Sequence, residues 1–154
     1  MRTILPAACL LLAACVSPNP EPATPDGELA LEPVAAEPPA PPAWEGAHTV
    51  ASTTGRWRVR WTSEPSPIPE NEPFTLRVWV LDMDDEPAAV ELAVDAAMPQ
   101  HGHGMNRVPR VVANDSKGFD ADGLLFHMPG SWELYFDISH GALTERAQVE
   151  VVLE

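Results

Sequence analysis

From Trp57 onward the chain alternates apolar and polar residues in short runs, and this period of two dictates strands rather than helices. Trp57, Val59 and Trp61 alternate with Arg56, Arg58, Arg60 and Thr62, and Phe74, Leu76, Val78 and Val80 alternate with Thr75, Arg77, Trp79 and Leu81. The pattern returns at Val90, Leu92 and Val94, at Trp132, Leu134, Phe136 and Ile138, and at Ala147, Val149 and Val151. Shorter runs lie at 108–113 and 123–128. Successive side chains of a strand point to opposite faces, so each run offers one face to a core and one to water. Turn-forming clusters separate the runs at 65–71, 84–87, 114–118, 122–123, 129–130 and 140–141. Seven short strands with no amphipathic helix between them predict an all-β chain, folded as an immunoglobulin-like antiparallel β-sandwich over residues 55–154. A domain of about 100 residues buries roughly two-thirds of its unfolded surface, enough for one core.

The other end of the chain reads differently. Met1-Arg2 supplies a positive start, and an apolar run from Ile4 to Leu12 is broken only by Pro6. A helix needs ~20 residues to cross a hydrocarbon core of about 30 Å, so this run is too short to span and reads as a cleaved secretory signal. Leu12-Ala13-Ala14-Cys15 resembles the lipobox of bacterial lipoproteins. That resemblance implies that residues 1–15 form a signal and that Cys15 is lipidated as the first mature residue. The protein would then sit in the bacterial cell envelope, lipid-anchored and facing the periplasm. Val16 stands where an acidic residue is linked in some bacteria with inner-membrane retention, which leans the expectation towards the outer membrane. Cys9 falls inside the signal, so no mature thiol remains for a disulfide, a cysteine zinc site or a cysteine nucleophile.

Residues 16–54 form a linker rich in proline, alanine and glutamate. Prolines recur at 18, 20, 22, 25, 33, 38, 39, 41 and 42, among the acids Glu21, Asp26, Glu28, Glu32, Glu37 and Glu45. Such a stretch has too few apolar residues to bury, and its like charges repel, so it is expected to be disordered and extended. At roughly 3.1 Å per residue it would reach on the order of 100 Å from a membrane anchor. The net charge of -14 argues against a nucleic-acid partner, which requires a basic face.

Chemistry concentrates in Met98-Pro-Gln-His-Gly-His-Gly-Met105. Imidazole suits copper, zinc, nickel and iron, and thioether sulfur is a soft donor that favours Cu(I). If the segment is extended, the spacing of His101 and His103 puts both rings on one face, and Gly102 and Gly104 let Met98 or Met105 close around the same point. His127-Met128 ends another run and repeats the imidazole–thioether pairing. The candidate metal ligands are therefore His101, His103, Met105, Met98, His127 and Met128. Each has a plainer alternative: methionines plug cores, His127 beside Phe126 suits a buried strand, and His-Gly-His suits a solvated turn. Asp95 is close enough in sequence to orient a ring from outside the ligand set.

Met98-Pro-x-His-x-His-Gly-Met105, then Phe126-x-Met128-Pro-Gly130 and Trp132-Glu-Leu-x-Phe136, resembles the YtkA-like domain family and, more distantly, FixH-like proteins. The resemblance covers roughly residues 55–154. It implies a small exported or membrane-attached β-sandwich concerned with copper handling or oxidase assembly, with Met98, His101, His103, Met105 and Met128 at the matching positions. The expected function is a lipoprotein that binds copper or delivers it to an accepting envelope protein; the alternative is a metal-free envelope interaction module. An enzyme is not expected, because a catalytic metal centre usually takes about three firm protein ligands and keeps a position open.

Overall fold

The alternating runs do form strands, and they pack as two antiparallel sheets. A computed structural model describes residues 42–154; the signal, Cys15 and the linker as far as residue 41 lie outside the described residues. The elements run β1 (His48–Ala51), β2 (Arg58–Glu64), β3 (Phe74–Leu81), β4 (Glu91–Met98), a 3-10 turn (Pro99–His101), β5 (His103–Gly104), β6 (Arg110–Ala113), β7 (Phe119–Leu124), β8 (Gly130–His140) and β9 (Leu143–Leu153). One sheet has the order β1-β2-β3-β7-β6 and the other β5-β4-β8-β9. With β1 and β5 set aside, β2-β3-β7-β6 facing β4-β8-β9 is the strand order of a constant-type immunoglobulin domain.

The expected core faces meet between the sheets. Val59, Leu76, Val78, Ala121 and Leu124 from one sheet and Trp132, Leu134, Phe136 and Ile138 from the other are all fully buried. Each large apolar side chain so buried contributes roughly 1.5–3 kcal/mol relative to exposure. The described residues contain no cysteine, so this core is held by packing and hydrogen bonds without a disulfide of its own.

Three features depart from the expected pattern. Strand pairing starts at His48 rather than after residue 54, because β1 joins the edge of β2 with the register His48↔Trp61 to Ala51↔Arg58. A four-residue edge strand is too short to show a period. Next, the run expected at 123–128 is displaced: β7 occupies Phe119–Leu124, and Asp122-Gly123 is a bulge rather than a turn. Phe74 pairs with Leu124 and Thr75 with Asp122, so Gly123 is the extra residue, at φ +84. Finally, Trp79 and Leu81 lie on the outward side of β3 yet are buried. Trp44 covers Trp79 with ring centroids 6.4 Å apart. Pro87 bridges back to Leu81, and the Asn114–Gly118 turn closes over Trp79.

Candidate functional site

The histidine segment is a tight hairpin, not an extended strand. Met98 ends β4 and pairs with His103, and Ala97 pairs with Gly104, so the chain reverses within Pro99–Gly102. Pro99 opens the 3-10 turn and Gly102 closes it in the left-handed region at φ +70, its N–H donating to the Met98 carbonyl at 3.0 Å. Such a φ favours glycine. Gly104 is needed for a different reason: a Cβ there would lie 3.1 Å from the Ala96 carbonyl oxygen. The two rings still come together, with His101 and His103 centroids 5.8 Å apart. Reversal of the chain, rather than the expected i, i+2 alternation, brings them close.

Directly opposed residues of an antiparallel pair share a face. Met98 points into the core, so His103 is on the inward side of β5, at the rim of the sandwich. There it meets the segment that follows β7. His127 lies with its ring centroid 5.2 Å from that of His103. Trp132, on the inward face of β8, supports both rings: its centroid is 5.3 Å from His127 and 6.3 Å from His103, edge to face in each case. Phe126 stacks on Trp132 at 4.5 Å, and the Trp132 indole N–H donates to the Met128 carbonyl at 3.1 Å. The segment after β7 is thereby fastened to the opposite sheet.

These contacts line up His101, His103 and His127 from two separate parts of the chain. His101 and His103 are exposed and His127 is half-buried. The Nδ1 atom of His127 is buried and has no hydrogen-bond partner. A buried polar nitrogen left unpaired costs about 1–3 kcal/mol, and in folded proteins such atoms are usually matched by a protein group, a water or an ion. Among the described residues, however, no group of three or more His, Cys, Asp or Glu side chains is gathered in metal-holding geometry. The imidazoles are adjacent through their ring faces, so joint ligation requires rotation of the exposed rings.

The sulfur donors divide. Met98 is 1 % exposed and belongs to the core; a Cβ on Gly130 would lie 2.9 Å from its terminal methyl carbon. Met105 and Met128 are half-buried and pack against the edge of the core. Asp95 is exposed, and its outward position between the buried Val94 and Ala96 turns it away from the inward-facing His103. It does not orient the rings; its carboxylate accepts from the Ala96 N–H at 2.8 Å. Trp132 is the contributor that residue chemistry alone did not single out. Its signal in the sequence is the tryptophan placed four residues after Met128, in the Gly-x-Trp segment.

No family model matches the chain, and no curated protein sequence does either. The likeness to YtkA-like domains thus rests on the motif residues themselves. Among solved structures, a DUF4426 family protein from Pseudomonas aeruginosa PAO1 is similar, with a TM-score of 0.46 and 8 % sequence identity over 65 % of this chain and 94 % of that one.

Proposed function

We propose that this chain is an envelope lipoprotein whose β-sandwich binds copper at the His/Met rim and passes it to an accepting protein. Lipid on Cys15 anchors it, and the proline-rich acidic tether holds the domain away from the membrane. The observation that supports copper binding most is the approach of His103 and His127 to 5.2 Å, with the buried Nδ1 of His127 lacking a partner.

The donor chemistry fits. Two or three imidazoles with the thioethers of Met105 and Met128 form a mixed set, in which sulfur favours Cu(I) and nitrogen accepts either oxidation state. His101 and His103 are exposed, so an acceptor protein can reach the ion from solvent.

Titration of the full chain with Cu(I) against a competing chelator tests the proposal. The expected result is saturable binding that His103→Ala with His127→Ala weakens by at least about 100-fold, or roughly 2.7 kcal/mol. Binding unchanged by that pair of substitutions overturns it. The second reading, a metal-free interaction module, predicts no competition with the chelator at all.

A further inference from the structure

β9 is the outer strand of its sheet and pairs with β8 along its whole length, in an unbroken register from Leu143 to Leu153. On its other side, the backbone contacts it makes with the facing sheet among the described residues lie near its start. Ser52 bridges Ala147, and the Thr53 N–H donates to the Arg146 carbonyl at 2.9 Å. Peptide groups along a strand alternate sides. The Arg146 bond therefore fixes the parity: Glu150 and Val152 present their N–H and C=O groups to the same flank, where no described strand pairs with them.

Natural proteins guard open edges with lysine, proline or a bulge. The segment Gln148-Val-Glu-Val-Val-Leu153 has no lysine, proline or bulge, its single charge is Glu150, and Val152 is 63 % exposed. Beside this edge lies a cleft of about 570 Å³, walled by Trp61, Ser63 and Ile68 on one side and by Glu150, Val151 and Leu153 on the other. His48 stacks on Trp61 at 4.5 Å and forms the end wall where β1 begins. The volume lies in the range of pockets that accept a bulky side chain or small ligand.

We propose that this flank is a strand-addition site, filled by an extended segment of a partner protein that pairs with the backbone of Glu150 and Val152, inserts an apolar side chain against Trp61 and carries a lysine or arginine to Glu150. In such recognition main-chain bonds supply affinity, and pockets for alternate side chains supply specificity. Charge selects the partner. A second copy of this chain would bring a second Glu150, on a protein of net charge -14, towards the first. A basic segment meets complementary charge instead. The site shares no residue with the histidine cluster and does not depend on copper.

Panning a random peptide library against the full chain tests the proposal, followed by anisotropy measurements on the selected peptides. Val152→Pro removes one outward N–H while sparing the ladder to β8, as prolines on sheet edges do, and Glu150→Lys reverses the charge. The expected peptides alternate apolar residues and carry lysine or arginine. They should bind each variant at least about tenfold more weakly and slow amide exchange at Glu150 and Val152 in the unsubstituted chain. Selection of no peptide, selection of acidic ones, or binding that Glu150→Lys leaves unchanged overturns the proposal. So does a dimer of the chain that Val152→Pro converts to monomer, since the occupant would then be a second copy.

Discussion

Phe126 and Trp132 lie face to face, with ring centroids 4.5 Å apart and planes 2° from parallel. Phe126 follows β7 of one sheet and Trp132 belongs to β8 of the other, so the pair fastens the two sheets together directly beneath the imidazoles. Stacked aromatic pairs are worth about 0.5–1.5 kcal/mol beyond the area they bury. The Trp132 indole N–H adds a bond to the Met128 carbonyl, which fixes the backbone beside His127.

Trp132→Phe keeps an aromatic face for Phe126 but leaves that carbonyl unpaired and part of the indole volume empty. We expect a loss of about 1–3 kcal/mol in urea unfolding. Under the copper-binding proposal, affinity for the ion should fall with it, because the His127 segment loses its tie to β8. An unchanged urea midpoint would show that the indole bond holds nothing in place.

Met98 separates packing from ligation. Met98→Leu conserves volume and should cost under about 1.5 kcal/mol, whereas Met98→Ala empties a fully buried site and should cost about 2–5 kcal/mol. Under the copper-binding proposal, chelator competition on Met98→Leu should show the affinity unchanged. A large drop in that variant would make the Met98 sulfur a ligand from beneath the site.

Gly118 tests the packing of Trp79. A Cβ there would stand 2.7 Å from Cδ1 of Trp79 and 2.7 Å from the Val78 carbonyl oxygen, and the backbone cannot yield cheaply. Gly118→Ala should therefore destabilise the domain by about 1–3 kcal/mol, measured by thermal or urea unfolding.

Acid should loosen the clasp between the β1–β2 turn and β9. The hydroxyls of Thr54 and Ser52 donate to the Glu145 carboxylate at 2.7 and 2.8 Å, and Arg56 lies nearby, which holds the Glu145 pKa below its ordinary value. A carboxyl with a lowered folded-state pKa stabilises the fold above its unfolded pKa, and that contribution disappears as pH falls through the folded value. The difference in melting temperature between the natural chain and Glu145→Gln should be largest near neutrality and shrink below the ordinary carboxylate range. A difference independent of pH would assign the effect to shape rather than charge.

Much of the architecture was legible because burial on one face leaves a period of two. The inward sets Trp132–Ile138 and Phe74–Val80 could be read residue by residue. What stayed hidden depends on contacts remote in sequence. Trp79 and Leu81 break the alternation because Trp44 and the neighbouring turns cover the outer face of β3, which a local pattern cannot register. β1 is too short to have a period, and β5 exists only through two paired residues. At the rim, residue types identified the three histidines, but their approach depends on a left-handed Gly102 and on Trp132 reaching across from β8. Neither relationship is a matter of composition.

Gly123 carries a consequence for the whole rim. Were it to take an ordinary rung in the ladder with β3, Leu124 and Phe126 would swing out into solvent and His127 would reverse direction. One supernumerary residue acts as a half-twist in the chain, deciding which way the second arm of the histidine cluster points.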